Sequence, residues 1–203
     1  MATLDTIIAA AAKVFRTKGY HAATVQDIAD EVGLLKGSLY HHCSGKEELL
    51  YLVVKEPISR LYATVDAIVA AELPAGEKLR RATVAHLEAF DRHHPHLFVY
   101  LRETANLKGR FRASAQLSPK LYERFWQQML REGMKSGEFR AELDVQVVSY
   151  GLLGMLNWLY KWYEPGGRLG VHEVAAQFAS LALGGLAAPA APAARRRSTR
   201  RPR

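Results

Sequence analysis

Several features that mark other classes of protein are scarce or missing in this sequence. Its 203 residues include one cysteine, Cys43, so no disulfide can form within it, which fits a reducing compartment. Its longest apolar run, 147–160, is interrupted by Ser149 and Asn157 and falls short of the roughly 20 residues that span a bilayer. The first residues lack the basic start of a secretion signal. These absences predict a cytoplasmic protein that does not enter a membrane.

Acidic residues are outnumbered, but the positive excess is unevenly spread. The chain has 28 Lys and Arg against 20 Asp and Glu, a formal net charge of +8. Residues 1–50 carry −1 and residues 51–186 carry +3, whereas residues 187–203 hold six arginines and no acid. Net charge therefore does not locate a nucleic-acid-binding surface. The last segment, rich in Ala, Pro and Arg, has little to bury and is predicted to be disordered; a phosphate-binding arm is one hypothesis for it.

The sequence also lacks an alternating strand pattern and any catalytic motif. Helical periodicity runs along the chain instead, and hydrophobic residues make up 49% of it. No phosphate-binding glycine loop, nucleophile elbow or dinucleotide-binding glycine pattern is present. The chain is predicted to be all-α and not an enzyme. We expect an N-terminal three-helix unit over 1–47, a larger helical domain over 48–186 and a tail over 187–203.

Capping and glycine signals divide the N-terminal unit into short helices. Apolar residues repeat on one face over residues 4–18, as in an amphipathic helix. Thr24, with Asp27 three residues later, is typical of a capping box that begins a second helix. Gly33 ends that helix, and a third is predicted over 34–42. Two short helices joined by a tight turn behind a longer helix have the spacing of a helix-turn-helix.

The third of these helices carries side chains that suit a DNA groove: a cation, a small residue for close approach, and hydroxyl and imidazole groups for hydrogen bonds. Together with the preceding pattern it resembles the DNA-binding domain of the TetR family of bacterial repressors. One departure is Cys43, where that family usually has Phe or another apolar side chain. The resemblance is carried by Ile8, Ala11, Ala12, Phe15, Gly19, Tyr20, Thr24, Val25, Ile28, Ala29, Gly33, Lys36, Gly37, Ser38, Leu39, Tyr40, His42, Lys46, Glu47 and Leu49.

This resemblance implies a repressor that binds a pseudo-palindromic operator in double-stranded DNA as a homodimer. Phosphate contacts are implied for Thr24, Tyr40, His42 and Lys46. Base edges would face Lys36, Gly37, Ser38 and His41. Plainer roles stay open for some of these residues, since Thr24 is a helix cap in any case, Tyr40 could serve packing, and Lys46 could be a surface lysine.

The histidines invite a metal hypothesis that their spacing does not favour. His41 and His42 are adjacent, and neighbouring helical residues diverge by about 100°. His86 and His93 lie two turns apart near His96, but histidines near a helix C-terminus also stabilise the helix dipole. No metal site is predicted.

Two helices near the end of the larger domain predict a dimer. Helix 144–163 is apolar almost all round, so a domain of this size can bury it only if a partner covers one face. With helix 171–186 it would form an intermolecular four-helix bundle, as the TetR resemblance also implies; an intramolecular core is the alternative. The predicted interface is Val148, Leu152, Met155, Leu159, Phe178, Leu181 and Ala182.

The same resemblance implies a cavity for a small-molecule inducer between the helices of the larger domain. Arg102, Lys108, Arg110 and Arg112 form a basic cluster that suits a phosphorylated ligand, or simply a solvated loop. Residues 157–169 resemble the C-terminal domains of TetR-like regulators of fatty-acid, steroid and related acyl-CoA catabolism. An acyl-CoA thioester is therefore the predicted inducer, with no other cofactor. The predicted ligand residues are Phe98, Arg102, Phe111, Tyr122, Phe125, Trp126, Met129, Met155, Trp158 and Trp162.

Two other functions stay open at this point. A repressor of a multidrug efflux system would be induced by hydrophobic cations, for which Glu88, Asp91 or Glu103 could supply the negative charge. A non-regulatory helical binding protein with a basic tail would need no operator, but the in-register helix-turn-helix argues against it. The ligand that releases DNA distinguishes the first alternative, and a lack of DNA binding would favour the second.

Overall fold

The computed structural model describes residues 3–113 and 118–188, and helices dominate both ranges. The predicted all-α class is confirmed, since the only β-type pairing in these ranges is an isolated bridge between Phe139 and Ala187. Most of the predicted tail, residues 189–203, lies outside the described residues. The helices are α1 (Leu4–Lys18), α2 (Val25–Glu31), α3 (Lys36–Leu39), α4 (Lys46–Ala70), α5 (Ala75–Arg92), α6 (His94–Glu103), α7 (Gly109–Arg112), α8 (Pro119–Ser136), α9 (Val145–Asn157) and α10 (Val171–Leu186).

Helices α1 to α3 form the helix-turn-helix, and their ends follow the capping signals. The Thr24 side chain accepts a hydrogen bond from the Asp27 amide at 3.1 Å, and Asp27 accepts one from the Thr24 amide at 2.9 Å. Gly33 takes the positive φ of 66° that the turn after α2 requires. Helix α3 is shorter than the predicted 34–42, because only Lys36–Leu39 is α-helical. The fully buried side chains of this unit include Ile7, Ile28 and Leu39.

Helix α4 joins the helix-turn-helix to the larger domain. It begins at Lys46 and continues to Ala70, with Pro57 inside it. Because α4 crosses the boundary that we place between residues 47 and 48, that division stays a prediction. Cys43, just before the helix, is buried and acts there as a small apolar side chain.

The larger domain packs α5 between α4, α8 and α10, while α6 contacts both α1 and α4. Its core contains the largest buried side chains, among them Phe90 and Trp126. The helix predicted over 144–163 starts with Asp144 as its N-cap, but its α-helical part ends at Asn157 and a 3₁₀ turn follows. Among the described residues, no helix is both long and apolar enough to cross a membrane.

Candidate functional site: a DNA-reading face and a ligand cavity

Helix α3 and the turn that follows it, residues 36–42, expose most of the polar side chains that the sequence assigns to DNA, and we call this surface the exposed face of α3. Leu39 is fully buried and anchors the helix, whereas Lys36, Tyr40, His41 and His42 are exposed; Ser38 is half-buried. Gly37 is also exposed, and a Cβ placed on it would meet no other group within 4 Å. Its lack of a side chain is therefore not required by packing within the chain, and it leaves room for close approach from outside.

Lys46 has a structural role within the chain in addition to the phosphate contact predicted for it. Its ammonium group donates hydrogen bonds to the backbone carbonyls of Tyr20, His21 and Ala23 at 2.8, 3.3 and 2.9 Å. It also lies 4.5 Å from the centre of the Tyr20 ring. Because an ammonium has three donors, a phosphate contact would require Lys46 to give up one of these carbonyls. Thr24 likewise has a structural role, because it is the N-cap residue of α2, as the capping pattern predicts.

The acidic residues of the N-terminal unit are largely paired with neighbours. Lys18 contacts Asp27 at 2.8 Å and Lys13 contacts Glu31 at 2.5 Å. Hydrogen bonds from Lys18 and Thr24 lower the pKa of Asp27 to about 2. Two of the six acids in residues 1–50 therefore have their charge offset by a lysine of the same unit.

Leu35 is a candidate that the sequence reasoning missed. It is the N-cap residue of α3, and its side chain is 80% exposed. Leu35 falls within the third helix predicted over 34–42, where it has no functional role; in the structure the half-buried Leu34 packs against the core and Leu35 does not. An apolar side chain beside Lys36 can contact the methyl group of thymine in a major groove.

A cavity of about 280 Å³ lies between α4, α5, α6, α8 and α9. Most of its wall is apolar or aromatic. It is lined by Ile58, Leu61, Tyr62, His86, Phe90, Leu97, Tyr100, Leu101, Pro119, Tyr122, Glu123, Tyr150, Leu153, Gly154 and Asn157.

Four polar groups of this wall lie in two hydrogen-bonded pairs. His86 Nδ1 lies 3.0 Å from the Tyr122 hydroxyl, and the hydroxyls of Tyr62 and Tyr100 lie 3.3 Å apart. The rings of Tyr62 and Tyr122 stack with their centres 4.8 Å apart. Burial lowers the pKa of His86 to about 4, so the imidazole is neutral at pH 7.

A basic groove adjoins the cavity. The two share Tyr100 and Pro119 in their walls, and the groove has a volume of about 590 Å³. Arg112, Lys120 and Arg124 line it. A largely apolar cavity that opens beside three cations can take a ligand with an apolar end and an anionic end.

The structure brings few of the predicted ligand residues to this site. Tyr122 lines the cavity and Phe111 lines the groove. The other predicted residues line neither the cavity nor the groove, because their side chains lie in the core, between two helices or on the outer surface. Phe125, Trp126 and Met129 are buried in the core, Phe98 lies against Arg16 and Arg102 between α1 and α6, Met155 is half-buried, and Trp158 and Trp162 are 58% and 48% exposed.

Cluster residues predicted for a phosphorylated ligand are also dispersed. Only Arg112 lines the groove, whereas Arg102 lies over the ring of Phe98 and Arg110 over that of Phe111. The other cations that line the groove are Lys120 and Arg124. The sequence did not predict them, because they lie on α8 and not in the basic cluster before it.

The outer faces of α9 and α10 are only partly those predicted for the dimer. Leu181 is 68% exposed, but Leu152, Leu159 and Ala182 are buried within their own chain, while Val148, Met155 and Phe178 are half-buried. The exposed stripe of α9 is rotated relative to the predicted one, because α8 and α5 take the other face. It consists of Val147, Tyr150, Gly151 and Gly154, and it continues to Trp158 at the start of the 3₁₀ turn.

Two further hypotheses can be located in the structure. Within residues 3–113 and 118–188, no three His, Cys, Asp or Glu side chains are grouped so that they could hold a metal ion. The acids suggested for a cationic ligand lie away from the cavity wall: Asp91 accepts a hydrogen bond from Tyr163, Glu88 lies near His172, and Glu103 accepts one from Asn106.

Comparisons with known proteins cover nearly the whole described chain. Residues 7–52 match the family described as bacterial regulatory proteins, tetR family, and residues 72–186 match the tetracyclin repressor-like C-terminal domain. The HTH-type transcriptional repressor KstR2 of Mycobacterium tuberculosis H37Rv is 35% identical over 178 residues, which cover 87% of this chain and 88% of that protein.

Solved structures agree with these matches. The structure of the ketosteroid transcriptional regulator KstR2 of M. tuberculosis superposes with a TM-score of 0.84 at 30% identity, covering 93% of this chain and 96% of that one. AibR in complex with isovaleryl coenzyme A and operator DNA gives a TM-score of 0.78 at 27% identity, covering 88% and 96%. These relatives are transcriptional regulators rather than enzymes. The chain belongs to the TetR family of bacterial transcriptional regulators.

Proposed function

We propose that this protein is a ligand-responsive repressor that binds a pseudo-palindromic operator as a homodimer and is released by an acyl-CoA thioester. The observation that carries the ligand is the largely apolar cavity that opens beside Arg112, Lys120 and Arg124. The relative AibR, whose complex holds isovaleryl coenzyme A and operator DNA, supports the same pairing of ligand and function.

For DNA, we assign the exposed face of α3 to the major groove. Lys36, Gly37, Ser38 and His41 would face base edges, with Leu35 as an added apolar contact. Phosphates would be held by Thr24, Tyr40, His42 and, after it releases a carbonyl, Lys46. Of these, Tyr40 has the clearest support, because 49% of its side chain is exposed although it is aromatic.

For the dimer, the exposed apolar surface of α9 and α10 is the proposed contact. Trp158 and Leu181 are among the large exposed apolar side chains, and a Cβ placed on Gly151, Gly154 or Gly184 would meet no other group within 4 Å. Small residues beside apolar ones allow helices of two subunits to pack closely. Two copies related by a twofold axis would then present two α3 helices to two half-sites.

For the ligand, the dimensions favour a short acyl group. A cavity of about 280 Å³ lies just below the range of roughly 300–1,000 Å³ that is usual for ligand pockets. It would hold the acyl group, while the larger groove would hold the phosphorylated part of coenzyme A. Arg112, Lys120 and Arg124 would then neutralise phosphate charge.

The test is release of the protein from an operator that has been selected from random duplex DNA. Isovaleryl-CoA, octanoyl-CoA and free coenzyme A are titrated into the complex, and release is followed by fluorescence anisotropy. We expect a thioester to release DNA and Arg124→Gln to raise the concentration required by about tenfold, about 1.4 kcal/mol. Lys135→Gln is the matched control, because Lys135 lies on α8 but lines neither cavity nor groove.

A cationic inducer is the second candidate, and one observation favours it. Glu123 lines the cavity and is the one acid in its wall among the described residues. If rhodamine 6G releases the operator, Glu123→Gln abolishes this release and no thioester has an effect, the protein is an efflux regulator and the acyl-CoA proposal is wrong.

A further inference from the structure

Helix α7 touches both the basic groove and the start of α4. On one side, Phe111 and Arg112 line the groove. On the other side, the Lys108 amide at the N-cap of α7 donates a hydrogen bond to the Glu47 carboxylate at 2.6 Å. Glu47 lies in the first turn of α4, which directly follows the DNA-reading segment.

A second contact lies one turn further along both helices. The rings of Tyr51 and Phe111 lie 5.0 Å apart between their centres. Glu47 and Tyr51 are four residues apart on α4, so they share one face, and Lys108 and Phe111 are three residues apart on the opposing segment. The two contacts therefore fix both the position and the direction of α7 on α4.

Charge adds to this contact. Hydrogen bonds from Ser44 and the nearby positive charge of Arg110 hold the pKa of Glu48 below its ordinary value. The positive charge of Arg110 therefore acts on Glu48 in the first turn of α4. Ser44, which is hydrogen-bonded to Glu48, follows Tyr40 by four residues. The first turn of α4 is therefore connected directly to the end of the DNA-reading segment.

We propose that the contact of α7 with the first two turns of α4, through Glu47–Lys108 and Tyr51–Phe111, is a latch that couples the basic groove to the DNA-reading helices. The latch is closed in the operator-bound protein. An anionic ligand in the groove draws Arg112, and α7 with it, toward α8 and opens the latch. The first turn of α4 is then free to move, and with it the separation of the two α3 helices in a dimer. The proposed ligand rests on the acyl-CoA function above, but the latch itself can be tested without any ligand.

The ligand-free test uses the reciprocity of coupling, since a site that responds to the groove must also change the groove when DNA binds. Exchange of the Lys108 amide hydrogen is followed by NMR with and without operator DNA. Operator is expected to slow this exchange at least about fivefold in the wild type, the lower end of usual coupling. Unchanged exchange at Lys108 would overturn the latch.

Variants at Glu47 separate the hydrogen bond from the charge. Glu47→Ala removes the acceptor and is expected to abolish the effect of operator on Lys108 and to weaken operator binding at least about fivefold. Loss of a negative charge near DNA would by itself tighten binding, so weaker binding isolates the latch. Glu47→Gln removes the same charge but keeps an acceptor oxygen and should retain most of the wild-type behaviour. Glu56→Ala is the control, because Glu56 is exposed on α4 and pairs with Arg60. Equal effects of operator on Lys108 in the wild type and in Glu47→Ala would contradict the proposal.

The final arm adds isovaleryl-CoA. Calorimetry is expected to show equal affinity for the ligand in the wild type and Glu47→Ala, whereas the ligand-induced loss of operator affinity shrinks at least about fivefold in the variant. The same ligand-induced loss in both proteins would overturn the latch. If the wild type binds no thioester, the acyl-CoA function fails, and the exchange at Lys108 still decides the latch.

Discussion

The helix-turn-helix and the larger domain use their functional side chains in opposite ways. On α3, the side chains proposed for DNA are mostly exposed, and buried Leu39 anchors the helix from behind. In the larger domain, the cavity wall includes Tyr62, His86 and Tyr122, and the same side chains are buried in the interior of the domain. A functional side chain on the surface can be substituted with little loss of folding stability, whereas substitution of one in a cavity wall also lowers the free energy of unfolding.

The largest expected effect is the loss of a core side chain beside the cavity. Trp126 is fully buried on α8, so Trp126→Ala should lower the free energy of unfolding by about 3–5 kcal/mol. Urea denaturation at fixed protein concentration measures this. Tyr40→Ala, an aromatic truncation on the exposed face of α3, is the matched control and should stay within about 0.5 kcal/mol of the wild type. Equal losses in the two variants would break the contrast between the regions.

The next effect concerns the pH dependence of stability. The pKa of His86 is about 4 in the folded chain and about 6.5 when unfolded, so the unfolded state binds more protons between these values. Stability should therefore fall as the pH drops from about 6.5 to about 4, by up to about 3 kcal/mol from this group. Urea titrations across this range measure the slope.

Two variants test the assignment of that slope to His86. His86→Gln should flatten it, whereas His172→Gln, at a side chain that is 75% exposed, should leave it unchanged. A slope that is equally steep without His86 would show that the buried imidazole is not its cause.

Substitutions on the exposed face of α3 are expected to have the smallest effects on the free energy of unfolding, but to weaken operator binding. Lys36→Ala and Tyr40→Ala should each weaken specific operator binding by about 1–3 kcal/mol while the dimer remains folded. Operator binding is measured by anisotropy and folding by circular dichroism. Lys13→Ala, at an exposed lysine of α1 paired with Glu31, is the control. Wild-type operator affinity in both α3 variants would refute the assignment of this face to DNA.

Local signals explain why the helix-turn-helix was predicted closely. Thr24 and Asp27 form the capping box, Gly33 has the positive φ, and α1 begins and ends as its periodicity predicts. Each of these depends on a few neighbouring residues, so sequence spacing is sufficient. The sequence could not show that Lys46 is held by three carbonyls, because those come from residues more than 20 positions away.

The lining of the cavity and the groove differs from the predicted ligand residues for a related reason. An aromatic residue such as Trp126 looks the same in sequence whether it fills the core or lines a cavity. Lys120 and Arg124 reach the groove only because the start of α8 lines it together with residues of α6 and α7. On the 3₁₀ turn after α9, packing against the rest of the domain decides that Trp158 is exposed while Leu159 is buried.

By itself, the sequence determined the helical class, the helix-turn-helix and membership of a DNA-binding family, because caps, glycine turns and helical periodicity act over a few residues. Tertiary structure alone decided which side chains surround the cavity, which cations border it, and that α7 rests on the start of α4. Those arrangements depend on how helices distant in the chain pack and rotate against one another, and burial, not spacing, selects them.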